Sequence, residues 1–217
     1  MKTRIPPHVP ICGALIAGMQ VLVYFGTRAL PPLSAPHDWS LPPDRAIPLI
    51  PAWIAVYFLA YVTWVTGFWR NLNAGRTRAI RITFAYGAAL LVCGLCFVLI
   101  PCTMTRPEVP GEGIFSALVR LLYRIDEPGN LLPSIHVLAS YFCWRGLAGR
   151  REVPLAARLF YLAFLLLVCL SILFVRQHVL VDIPAAAAVG EGAFRLARVV
   201  KPERFFPETQ KHLHPRR

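Results

Sequence analysis

Apolar residues fall along this chain in long runs, separated by short basic, polar or proline-rich stretches. That pattern is set by a bilayer rather than by the core of a soluble domain. Runs from Ile11 to Phe25, Ile47 to Trp69, Ile82 to Ile100, Pro133 to Leu147, Val153 to Val175 and Val179 to about Val200 predict six transmembrane helices. About 20 apolar residues cross a hydrocarbon core about 30 Å thick, so the second, third and fifth runs are long enough and the fourth is short. Between the third and fourth lies the piece IFSALVRLLYRI, whose apolar residues Ile114, Leu118, Leu121, Leu122 and Ile125 recur at helical spacing. It predicts an amphipathic helix along the membrane interface, serving either as the entrance for a lipid or as a plain connector. The expected fold is all-α: a single polytopic membrane domain over residues 1–217 with six spans, an interfacial helix between the third and fourth, and a basic tail over 201–217.

Composition sharpens this picture. The chain is 56% hydrophobic and only 16% charged, too apolar for an ordinary soluble domain. The first run is followed by ALPPLSAPHDWSLPP with no clean small-residue cleavage site, so it is read as the first helix and not as a signal peptide. With the N-terminus inside, 17 of the 23 Lys and Arg residues fall on the inner side, and only Arg28, Arg45, Arg106, Arg120, Arg124 and Arg176 fall outside. Basic segments stay cytoplasmic, so both termini are expected in the cytoplasm and the outer face in a periplasm or lumen, with the inner membrane of a bacterium as the expected location. The net charge of +12 is then accounted for by anionic lipid of the inner leaflet, without nucleic acid as a partner. Nothing in the pattern bears on the oligomeric state.

Five of the six cysteines lie within predicted spans and Cys102 just past the third; Cys93 and Cys96 form a C-x-x-C pair with no second pair to complete a metal site. Neither disulfide, metal nor cofactor is expected.

The polar residues that chemistry needs gather at the outer ends of the spans. His178 and Asp182, four apart, share a face if helical. The carboxylate then accepts from one imidazole nitrogen and leaves the other aimed at a substrate, making His178 a candidate nucleophile. Ionisable residues inside a membrane mark functional sites by default, although such a pair also serves to tie helices together. His136 follows Pro133 and Ser134 at the outer start of a helix, where free N–H groups attract an anion and a histidine can protonate a leaving oxygen. Ser134 either caps that helix or bonds a phosphate oxygen. Counting about 1.5 Å per residue from Arg150 and Arg195 puts the two histidines about 21 and 26 Å from the inner face, at comparable depth. Arg106 and Arg176 come from the same side with planar forks of donors suited to phosphate, with snorkelling to the headgroups as the other use of Arg176. Two histidines, two arginines and a carboxylate at a lipid boundary point to phosphate-ester chemistry.

Arg106-Pro107 after the third span, Pro133-Ser134-x-His136 opening the fourth and His178-x-x-x-Asp182 opening the sixth resemble the three signature motifs of the type 2 phosphatidic acid phosphatase superfamily, which also contains vanadium haloperoxidases. The likeness runs from Pro101 to about Gly190. It is nearest to bacterial members resembling inositol phosphorylceramide synthases, whose second motif carries an upstream Tyr, Asp and Asn, here Tyr123, Asp126 and Asn130. The resemblance implies that His178 forms a phosphohistidine, Asp182 orients it, His136 protonates the leaving group, and Arg106 with Ser134 cradles the phosphate. Two positions depart from the pattern: Leu99 and Ile172 stand where basic residues are usual, and Arg176 is the nearest substitute guanidinium. The expected activity is that of a lipid phosphate or lipid diphosphate phosphatase acting on a membrane substrate at the outer face. A headgroup phosphotransferase is the alternative. A proton-coupled transporter using His178 and Asp182 as a relay is the third reading, and it leaves Pro133, Ser134 and the arginines without a use.

Overall fold

The computed structural model describes residues 5–206; the basic residues Lys2 and Arg4 and the tail over 207–217 lie outside them. Eight α-helices occupy most of the described chain: α1 (His8–Arg28), α2 (Pro42–Ala46), α3 (Ile54–Leu72), α4 (Arg76–Leu99), α5 (Ile114–Ile125), α6 (Ile135–Arg145), α7 (Leu155–Phe174) and α8 (Asp182–Val200). Two residue pairs, His37–Asp38 (β1) and Cys102–Thr103 (β2), form a short parallel ladder that joins the proline-rich segment to the chain leaving α4.

Among the described residues, four helical segments are long and apolar enough to cross a membrane: α1, Pro51–Leu72 (a 3₁₀ turn leading into α3), α4 and α7. Their outward faces carry large exposed side chains such as Leu22, Val65, Leu91 and Leu166. An apolar surface of that extent is stable only against lipid or another apolar partner. The chain is a membrane protein.

The fourth and sixth predicted spans differ from these. Helix α6 has 11 residues, about 16 Å at 1.5 Å per residue, half the hydrocarbon thickness. Helix α8 is 19 residues long but carries Asp182, Glu191, Arg195 and Arg198. Most of α6 is buried, and it packs on α3, α7 and α8. Glycines let its neighbours come close: a Cβ on Gly67 of α3 would lie 2.6 Å from the Cys143 Cβ, and one on Gly190 of α8 would lie 2.7 Å from Tyr141 Cδ1. Polar pairs fasten the same interfaces, including Trp64 Nε1 to Ser140 Oγ at 2.9 Å and Arg145 Nε to Glu191 Oε2 at 2.8 Å. Such pairs stabilise helix contacts where burial from water contributes little.

The helices alternate in direction, so two ends are defined. One holds the last turn of α1, α2, α5 and the starts of α6 and α8; the other holds the α3–α4 turn, the end of α6 and the end of α8. Helix α5 forms where IFSALVRLLYRI predicts it. Ser116, Val119 and Leu122 are its buried residues, whereas Ile114, Leu121 and Ile125 of the predicted apolar stripe are exposed.

Candidate active site

His178 is not on a helix. It lies in the turn between α7 and α8, and α8 begins only at Asp182, which corrects the expectation that the two share a helix face. The pair meets all the same: His178 Nδ1 and Asp182 Oδ2 are 2.9 Å apart. The turn is closed by its own backbone, with the N–H groups of Gln177 and His178 both donating to the Ile172 carbonyl, at 2.9 and 3.2 Å. Arg176 adopts φ 56°, a left-handed conformation that reverses the chain after α7. Asp182 Oδ2 accepts a second bond from the Val179 N–H at 3.1 Å, so the carboxylate serves as anchor for both ring and backbone. Asp182 is fully buried and His178 nearly so. With Nδ1 held by Asp182, Nε2 is the ring nitrogen left for a substrate.

His136 stands on the first turn of α6, its ring centroid 6.1 Å from that of His178. An aromatic box surrounds it: Tyr57 stacks on it at 4.3 Å, and Trp64 and Tyr61 lie at 5.0 and 5.6 Å. Its Nε2 is buried without a hydrogen-bond partner. Ser134 is fully buried and caps α6, its Oγ accepting from the Val137 N–H at 3.4 Å, while its own N–H faces the Asp182 carbonyl at 3.5 Å. The capping use of Ser134 is thus observed, and it ties the two histidine-bearing segments together.

Arg106 reaches the same turn. Its Nη2 donates to Gln177 Oε1 at 2.5 Å and its Nη1 to the Asp126 carbonyl at 2.6 Å, and its guanidinium carbon lies 4.5 Å over the Tyr123 ring. Burial lowers its pKa, partly opposed by Asp126 and Tyr123, but an arginine stays a cation in such a setting. Its Nε and the Gln177 Nε2 are both buried without an acceptor. Buried donors normally find partners, and these orphans are suited to an acceptor, whereas Asp182 Oδ1, also buried without a partner, calls for a donor.

The remaining expected residues are held by protein contacts, and Arg176 Nε, like that of Arg106, is buried without an acceptor. Arg176 Nη1 donates to the Asp44 carbonyl, which fastens the turn to α2. The Tyr123 hydroxyl donates to the Val175 carbonyl at 2.9 Å, and burial pushes its pKa up to about 12, so it remains neutral. Asp126 Oδ1 accepts from Arg28 Nη1 and from the Tyr24 hydroxyl, each at 2.5 Å. Asn130 Nδ2 donates to the Tyr24 carbonyl and to Thr27 Oγ1. Both therefore pin the segment before α6 to the end of α1. Ile172 is fully buried and Leu99 is exposed on the last turn of α4, so neither apolar replacement contributes a charge.

Four contributors escape the sequence reading. Gln177 and Tyr57 belong to the site itself. Asp44, inside PPDRA, accepts from the Leu180 N–H at 2.7 Å through Oδ1, so α2 grips the turn on both sides of His178. Tyr24 supports Asp126. None of the four belongs to a motif that the sequence pattern singles out. Among the described residues, no group of three or more His, Cys, Asp or Glu side chains converges to hold a metal ion.

No family profile, curated protein or solved structure matches this chain.

Proposed function

We propose that this protein is a multi-pass membrane phosphatase of lipid phosphates or lipid diphosphates that works through a phosphohistidine. The observation that carries the reading is the set of buried, unpartnered nitrogens, His136 Nε2, Arg106 Nε and Gln177 Nε2, around a histidine held by a buried carboxylate. A phosphoryl group supplies acceptors for all of them. His178 Nε2 attacks phosphorus, the bond from phosphorus to the lipid oxygen breaks, and protonated His136 delivers its proton to that oxygen. Water then adds to phosphorus, its proton passing to His136 as the P–N bond breaks and phosphate leaves. Asp182 stabilises the charge on the His178 ring throughout, and Arg106 balances the phosphoryl oxygens. The motif resemblance supports the same roles. Arg176, with Nη1 on Asp44, positions the turn.

Membrane placement is part of the proposal. In this reading α6 and α8 complete six crossings: α6 is sheathed by protein, which tolerates its irregular ends, and the Asp182 and Glu191 charges of α8 are paired with His178 and Arg145. Helix α5 lies on the outer interface with its exposed apolar stripe against lipid. The termini are cytoplasmic and the histidines face the periplasm. Topology reporters joined after Lys201 and between Glu108 and Asp126 are expected to report opposite compartments, and the same compartment for both would overturn the arrangement.

Leu99 and Ile172 favour a second reading. Lipid phosphatases of the resembling superfamily usually have basic residues there, and some of its headgroup transferases do not. A transferase passes the phosphorylated group to an alcohol instead of water. Purified protein incubated with a panel of lipid phosphates, with and without alcohol acceptors and with chelator present, decides between them. Phosphate release is expected; a new phospholipid in place of free phosphate establishes the transferase, and neither product rejects both.

A further inference from the structure

The end of the bundle remote from the histidines holds an open cavity of about 610 Å³ between the start of α4, the turn after α6 and the last turns of α8. Six arginines line it, Arg76, Arg78, Arg81, Arg145, Arg150 and Arg198, and among the described residues no carboxylate does. Three acids reach three of these from outside the lining: Glu203 bonds Arg81, Glu191 bonds Arg145 and Glu152 bonds Arg150. Arg76, Arg78 and Arg198 have no acidic partner among the described residues. Arg76 Nη1 and an Arg78 Nη donate only to main-chain carbonyls, those of Phe206 and Gly146, and Arg78 Nε is buried with no acceptor.

Backbone donors add to the charge. Helix α4 opens on this cavity through Gly75, Arg76 and Thr77, with no side-chain cap and no acid in its first turn. Its first N–H groups thus have no side-chain cap and lie at the positive end of a 24-residue dipole. Like charges converging on one space repel, and an anion with several oxygens relieves both the repulsion and the orphan donors. Exposed Phe205 and Phe206 flank the site, the latter through its bond to Arg76, and offer an apolar neighbour for acyl chains.

We propose that this cavity is a binding site for a phosphate-bearing anion, either the headgroup of an anionic lipid of the adjoining leaflet or a free phosphate or diphosphate. The site is independent of the histidine centre, so its test uses binding alone. The full-length protein is titrated with inorganic diphosphate at constant ionic strength in one arm. In the other it is placed in phosphatidylcholine nanodiscs with increasing phosphatidylglycerol, and bound lipid is counted by native mass spectrometry. At least one ligand is expected to bind, and Arg198→Glu, on an exposed position that the fold tolerates, is expected to weaken that binding tenfold or more. Arg78→Gln should do the same, while Arg195→Glu, one turn earlier on α8 and outside the lining, should bind as the parent does. Diphosphate alone identifies a soluble ligand and phosphatidylglycerol alone a headgroup; either supports the site. Binding of neither ligand, unchanged binding by Arg198→Glu, or equal weakening by Arg195→Glu overturns it.

Discussion

His178→Ala is expected to abolish turnover of every phosphate substrate, by on the order of 10⁴-fold or more, because it removes the atom that bonds phosphorus. The loss should not depend on the leaving group. Since His178 donates its ring only to Asp182 and is otherwise held by backbone bonds from the turn, the variant keeps the Ile172 and Asp44 anchors and should remain folded. Its melting temperature checks that. Asp182→Asn should slow all substrates in common, because the amide reverses the polarity of the bond to Nδ1 and weakens the basicity of Nε2. Rapid-quench labelling with radioactive phosphate should give an acid-labile adduct in the parent and none in His178→Ala. An adduct surviving in His178→Ala rejects this assignment.

The second large effect separates the acid from the nucleophile. His136→Ala is expected to cost about 10²- to 10⁴-fold on a lipid ester, whose alkoxide needs a proton to leave, and little on an activated aryl phosphate, whose phenolate does not. The variant should therefore accumulate phosphohistidine with the aryl substrate. Its fold is not in question on charge grounds, since His136 Nε2 has no partner to lose, although the stack on Tyr57 is forfeited. Equal loss on both substrates, or an adduct seen only when His178 is replaced, means that the two histidines have exchanged roles.

Much of the fold is legible from hydropathy because a bilayer imposes length and apolarity on each helix locally. The runs that became α1, α3, α4 and α7 needed no knowledge of their neighbours. The short α6 and the charged α8 depend on neighbours, since their apolar or paired surfaces are completed by Gly67, Gly190, Trp64 and Arg145. The start of α8 was not readable from spacing either. Spacing alone placed His178 and Asp182 on one helix face, but the Ile172 carbonyl captures two N–H groups and ends the helical path before His178.

Residue types in the sequence single out His136, His178, Asp182, Arg106 and Ser134 as candidates, since ionisable groups are rare among long apolar runs. The partners that position them were not readable. Gln177, Tyr57, Tyr24 and Asp44 are ordinary residues far apart along the chain, and only chain folding brings the Asp44 carboxylate to the Leu180 N–H or the Tyr57 ring onto His136. The sequence by itself determined the four long apolar helices and which side chains are candidates for chemistry, because both follow from local composition. Only the tertiary structure decided which nitrogens are left buried and unbonded, because satisfaction of a donor depends on atoms more than 20 residues away in sequence, as Arg106 with Gln177 illustrates.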